Sequence, residues 1–100
     1  MKWYKLKRNI SRKEAKLILK YMREIIDEYG FVTLADFYDL IDVRNVAYTD
    51  VQKVWCSLSG ARVSLIRIKG NYRIKLPDFV EMSLVDQYDF ISNNDKKGSV

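Results

Sequence analysis

Between Val63 and Leu76 the chain reads V-S-L-I-R-I-K-G-N-Y-R-I-K-L, in which Ile66, Ile68, Tyr72, Ile74 and Leu76 alternate with Arg67, Lys69, Arg73 and Lys75. A period of two sends alternate side chains to opposite faces of a strand. The pattern predicts a β-hairpin with one apolar and one cationic face. A two-residue Gly70-Asn71 loop would set Ile68 against Arg73 and mix the faces. A three-residue Lys69-Gly70-Asn71 loop pairs Ile68 with Tyr72 and Ile66 with Ile74, and Asn tolerates the left-handed conformation that such a loop needs. The second register is the expected one, although it opposes Arg67 to Arg73, and like charges across a strand pair repel. The cations then either guard a sheet edge against unwanted pairing or await an anionic partner.

Helical signals precede the hairpin. Ser11 and Glu14 form an S-x-x-E capping box. Behind it Ala15, Ile18, Leu19, Met22, Ile25, Ile26 and Tyr29 recur at helical spacing, and Gly30 is a natural stop. The spacing predicts a helix over 12–29. Phe31-Val32 suits a short strand or bridge. Thr33 and Asp36 cap a second helix over 34–41. Thr49 or Asp50 is expected to cap a third, with Val51, Val54, Trp55 and Leu58 as its buried stripe and Gly60 as its end. Three helices with short connections suit a helix-turn-helix unit. With a hairpin after them, the expected fold is α+β and winged-helix-like: three helices followed by a C-terminal β-hairpin wing. The expected organisation is a basic N-terminal arm or edge strand (1–10), the winged-helix-like domain (11–85) and a polar, flexible tail (86–100).

Charge is segregated along the chain. The net +5 divides into nine basic and four acidic residues over 1–30, one and four over 31–52, six and none over 53–76, and two and five over 77–100. Such blocks can give a folded surface a one-sided field. There is no histidine and a single cysteine, Cys56. That removes the usual neutral-pH acid-base group, any intrachain disulfide and a cysteine-cluster zinc site. No apolar run approaches the roughly 20 residues that span a bilayer, and no secretory signal follows the basic first residues. A cytoplasmic protein without metal or cofactor is expected.

Catalysis has little support. Asp36, Asp39 and Asp42 recur at spacing three, but Asp36 is a helix-start residue and the others read as solvated. No phosphate-cradling glycine loop is present. A polyanion site has more. The wing offers Arg67, Lys69, Arg73 and Lys75. The expected third helix offers Gln52 and Lys53, which can read base edges, and Arg62 follows it. Lys53 is the only charge on that helix, which is thin for sequence-specific reading. A second cationic source comprises Lys2, Lys5, Lys7, Arg8, Arg12, Lys13, Lys16 and Lys20. Trp3, Tyr4, Tyr48 and Tyr72 could stack on unpaired bases if exposed; otherwise they belong to the core or its edge. The reading is a non-enzymatic, double-stranded-DNA-binding module that contacts phosphates through its wing. The alternative is a protein-interaction module, and helix 12–29 could also pair two copies as a homodimer.

The segments F-V-T-L-A-D-F-Y-D-L (31–40), Y-T-D (48–50), Trp55, L-S-G-A-R-V (58–63) and G-N-Y-R-I-K-L-P (70–77) resemble a loose group of small phage-encoded proteins of winged-helix-like character. The resemblance covers about half the chain, and its motifs are structural: caps, core aromatics, a hairpin and a closing proline. It implies a phage or prophage origin, a bacterial host cell, and a role in DNA transactions, transcription regulation or host take-over. Under the last of these the chain would be an effector that binds and inhibits or redirects a host protein.

Overall fold

A computed structural model describes residues 1–98. In chain order the elements are β1 (Lys2–Lys5), α1 (Arg12–Tyr29), β2 (Val32–Thr33), α2 (Leu34–Leu40), a 3₁₀ turn (Tyr48–Gln52), β3 (Lys53–Trp55), β4 (Arg62–Val63), β5 (Arg73–Leu76), β6 (Val80–Glu81) and α3 (Leu84–Gly98). Two three-stranded antiparallel sheets result, ordered β1-β5-β4 and β2-β3-β6. The class is α+β, but the strands are spread through the chain. The expected arrangement of three helices and then a C-terminal wing is therefore wrong.

The first two helices follow their caps. Ser11 Oγ accepts from Glu14 N–H at 3.1 Å, and Thr33 Oγ1 accepts from Asp36 N–H at 3.0 Å. Gly30 closes α1 in the left-handed conformation (φ 92°). The third expected helix does not form. Asp50 does accept from Ala47 N–H at 3.0 Å, but that turn stays 3₁₀ and runs directly into β3. Val54 and Trp55 then pair with Thr33 and Val32. A short run of β-branched and aromatic residues carries no periodicity that separates strand from helix, and pairing with β2 and β6 decides it.

The hairpin differs as well. Lys69 (φ 52°) and Gly70 (φ 89°) are the two central residues of a tight turn in which Ile68 and Asn71 exchange both backbone hydrogen bonds. Two positive φ angles define the mirror-image turn that suits strand twist. Asn71 is instead drawn inward: its Nδ2 donates to Leu6 O at 2.6 Å. Below the turn the register is Val63 with Ile74 and Arg62 with Lys75. Leu65–Arg67 therefore bulge outward. Ser64 secures the bulge, donating its N–H to Arg73 O at 2.8 Å and accepting Arg73 N–H on its hydroxyl at 3.0 Å. Ile74 and Leu76 are buried as expected, whereas Ile66 and Ile68, expected on the apolar face, stand 70% and 40% exposed.

The core lies where α1, α2 and both sheets meet. Tyr4, Phe37 and Trp55 pack edge to face, with centroids 5.2–6.2 Å apart. Leu6, Met22, Ile74 and Leu76 surround them, essentially dry. Each such side chain contributes about 1.5–3 kcal/mol by leaving water. Residues 1–10 supply an edge strand, β1. The segment read as a tail (86–100) lies largely in α3, which Ser83 precedes, its hydroxyl accepting from Asp86 N–H at 3.2 Å. Residues 99–100 lie outside the described residues.

Candidate functional site

Sheet β1-β5-β4 turns Tyr4, Ile74 and Val63 inward, so its other face carries the intervening residues. Trp3 lies beside Lys75, and Lys75 beside Arg62. Lys75 Nζ and Arg62 Cζ approach the Trp3 ring centroid to 5.6 and 5.7 Å. At these distances the cations are attracted to the ring's electron-rich face. Trp3 itself remains 38% exposed. In the next row Lys5 lies opposite Arg73. Arg73 Nε is buried and has no hydrogen-bond partner among the described residues.

Helix α1 extends this surface. Arg12 Nε donates to Ser64 O at 3.2 Å, fastening the helix start to the bulge. Between α1 and the bulge runs a groove of about 740 Å³, with Leu19, Ala61, Val63, Leu65, Ile66 and Ile68 among its walls. Trp3, Arg12, Lys16, Arg23, Arg62 and Ser64 complete its lining, which among the described residues contains no carboxylate. Among the described residues, no ion pair neutralises Lys5, Arg12, Lys16, Arg23, Arg62, Arg73 or Lys75. Carboxylates are used elsewhere. Asp36 caps α2, and Asp42 pairs with Lys7 and Arg44 at 3.3 and 3.4 Å. The hydrogen bond and charge of Lys7, with the charge of Arg44, hold the Asp42 carboxyl below its ordinary range. On the sheet's inner face, burial raises the Tyr4 phenol above its ordinary range, aided by Tyr38 and Asp78.

Of the residues expected on the wing and third helix, the structure thus brings Arg62, Arg73 and Lys75 together and separates Gln52, Lys53, Arg67 and Lys69 from them. Arg67 is used internally: its Nη1 donates to Arg8 O at 2.9 Å and Gly70 O at 3.1 Å, and its guanidinium lies 4.6 Å from the Tyr72 centroid. Lys69 stands at the turn tip. Gln52 and Lys53 belong with the second sheet, where Gln52 O accepts from Met82 N–H at 2.7 Å. Lys53 pairs with Asp50 at 3.1 Å and covers the Phe79 ring at 5.7 Å. No recognition helix carries them.

Trp3, Lys5, Arg12 and Lys16 were visible as arm and helix residues, but their union with β5 was not, and Arg23 was not singled out. The available signal was the alternation W-Y-K-L over 3–6, which sends Tyr4 and Leu6 in and Trp3 and Lys5 out. Among the described residues, no helix is long and apolar enough to cross a membrane. No family model, curated protein or solved structure matches the chain.

Proposed function

We propose that this protein binds nucleic acid, chiefly through the phosphate backbone, on the outer face of sheet β1-β5-β4. The observation that carries the reading is the cluster of Lys5, Arg62, Arg73 and Lys75 around an exposed Trp3, with no described carboxylate paired to any of them. Phosphates would lie over the cations. Because Lys5, Arg62, Arg73 and Lys75 stand on strands rather than on a helix, affinity comes from charge and is indifferent to sequence. Trp3 adds a ring on which an unpaired base can stack, which favours single strands over duplex.

Fluorescence anisotropy with single-stranded and duplex oligonucleotides, over a range of salt, tests this. Binding should weaken linearly on a log–log salt plot, by about 0.7–0.9 per phosphate neutralised. Joint replacement Arg62→Ala and Lys75→Ala should lower affinity about tenfold or more on every sequence and flatten the slope. Trp3→Ala should cost more on single strands than on duplex. Equal affinity of the double variant and the wild type overturns the proposal.

A further inference from the structure

We infer that α3 of one copy docks into the α1–β4 groove of a second copy, and that two chains exchange these helices reciprocally. The two surfaces have matching chemistry and both lie open in the single chain. On the groove side, Leu65 and Ile66 are 80% and 70% exposed, with Arg12, Lys16, Arg23 and Arg62 around them. On the helix side, Leu84, Val85 and Tyr88 are 57%, 71% and 71% exposed, and Asp86 and Asp89 flank them. Over its first ten residues, 84–93, α3 carries two carboxylates, Asp86 and Asp89, and no lysine or arginine. Neither Asp86 nor Asp89 has an ion-pair partner among the described residues. The first turns of α3, acidic and with an apolar face, thus meet an apolar groove with a basic rim, and opposite potentials of this kind select and orient partners.

The contact must be between molecules. Arg12, Lys16, Leu19 and Arg23 follow one stripe of α1. Helix α3 is held on a different flank: Phe90 packs on Phe31 with centroids 5.9 Å apart, and Gln87 Nε2 donates to Val51 O at 2.6 Å. Pinned there beside Ile25 and Tyr29, it cannot reach its own groove. Reciprocal exchange gives a closed pair in which each chain supplies one helix and one groove. The inference stands independently of nucleic-acid binding. Because Trp3 and Arg62 serve both surfaces, the two activities compete.

Sedimentation of nuclease-treated, purified full-length protein at about 0.1 mM tests the idea. Twice the 11.9 kDa chain mass is expected, falling toward one chain at high salt. Ile66→Asp in the groove and Tyr88→Asp on the helix each replace an exposed side chain, so circular dichroism should remain that of the wild type. Each should weaken association about tenfold or more. Mixed in equal amounts, the two variants should regain a dimer, because the mixed pair keeps one intact helix and one intact groove. A wild-type monomer, dimerisation indifferent to either variant, or a mixture no better than its components overturns the inference. A monomer that still binds oligonucleotides would remove the dimer alone.

Discussion

Trp55 donates its indole N–H to the carbonyl oxygen of Pro77 at 2.6 Å, so the end of β5 in one sheet is tied to β3 in the other. Trp55 is 2% exposed and packs edge to face on Tyr4, Phe37 and Phe79. Trp55→Phe keeps a ring but leaves the Pro77 carbonyl without this donor and opens space beside it. A loss of about 2–3 kcal/mol is expected, read as a lower urea midpoint at unchanged slope.

Arg67 and the Arg62–Lys75 pair should separate stability from binding. Arg67 holds the turn against Arg8 O and Gly70 O. Arg67→Ala should therefore lower stability by about 1 kcal/mol and change nucleic-acid affinity less than Lys75→Ala does. Thermal denaturation and anisotropy on the same samples decide this. The reverse ranking would return Arg67 to the contact surface.

Lys69 holds a left-handed conformation that side chains other than glycine, asparagine and aspartate adopt at a cost. Lys69→Asn creates the Asn-Gly pair that such two-residue turns favour. It should raise stability by about 0.5–1 kcal/mol and leave affinity nearly unchanged, because the side chain stands at the tip and away from Trp3. A melting temperature that does not rise refutes the first part; a marked fall in affinity refutes the second.

Alkaline pH should weaken the fold through Tyr4. Its folded pKa lies above the unfolded value, so the folded chain keeps a proton that the unfolded chain releases. The contribution is complete below the ordinary tyrosine pKa of about 10 and is lost as pH rises through the raised value. Denaturant midpoints measured upward from neutral pH should fall for the wild type, and fall less steeply for Tyr4→Phe. Asp42 acts in the opposite direction. Its folded pKa is depressed, so its contribution is present above the ordinary carboxylate value and disappears as acid protonates it in the fold. Because that pair is exposed, added salt should erase the difference between wild type and Asp42→Asn.

What the sequence revealed tracks how local each determinant is. Helices α1 and α2 depend on caps three residues apart and on a stripe of period 3.6, and both fall where those signals put them. The 3₁₀ turn and β3 depend on β2 and β6, which precede and follow β3 by more than 20 positions in the pairs they form, and no periodicity announces such pairing. The hairpin shows the same limit. Lys69-Gly70 became the turn because Asn71 is held by Leu6 O, a contact across 65 positions. That anchor also displaced Leu65 and Ile66 into a bulge, so Ile66, which read as core, became groove wall beside Leu65. The basic face was half legible: Arg62, Arg73 and Lys75 could be named, but the strand that adds Trp3 and Lys5 lies about 70 residues earlier. A start signal for α3, Ser83 with Asp86 three positions on, was present and repeats the logic of the first two helices.

The pairing of β1 with β5 has a consequence for biosynthesis. Lys2–Lys5 leave the ribosome long before Arg73–Leu76, and among the described residues β5 is the one strand that pairs with β1. Helix α1, with its own caps, can begin to form during translation, while Tyr4 and Leu6 wait exposed for a partner strand. Closure of the sheet is thus a late, long-range event of the kind that slows folding, and in that interval the nascent chain presents its unpaired first strand to chaperones and to other unfinished copies.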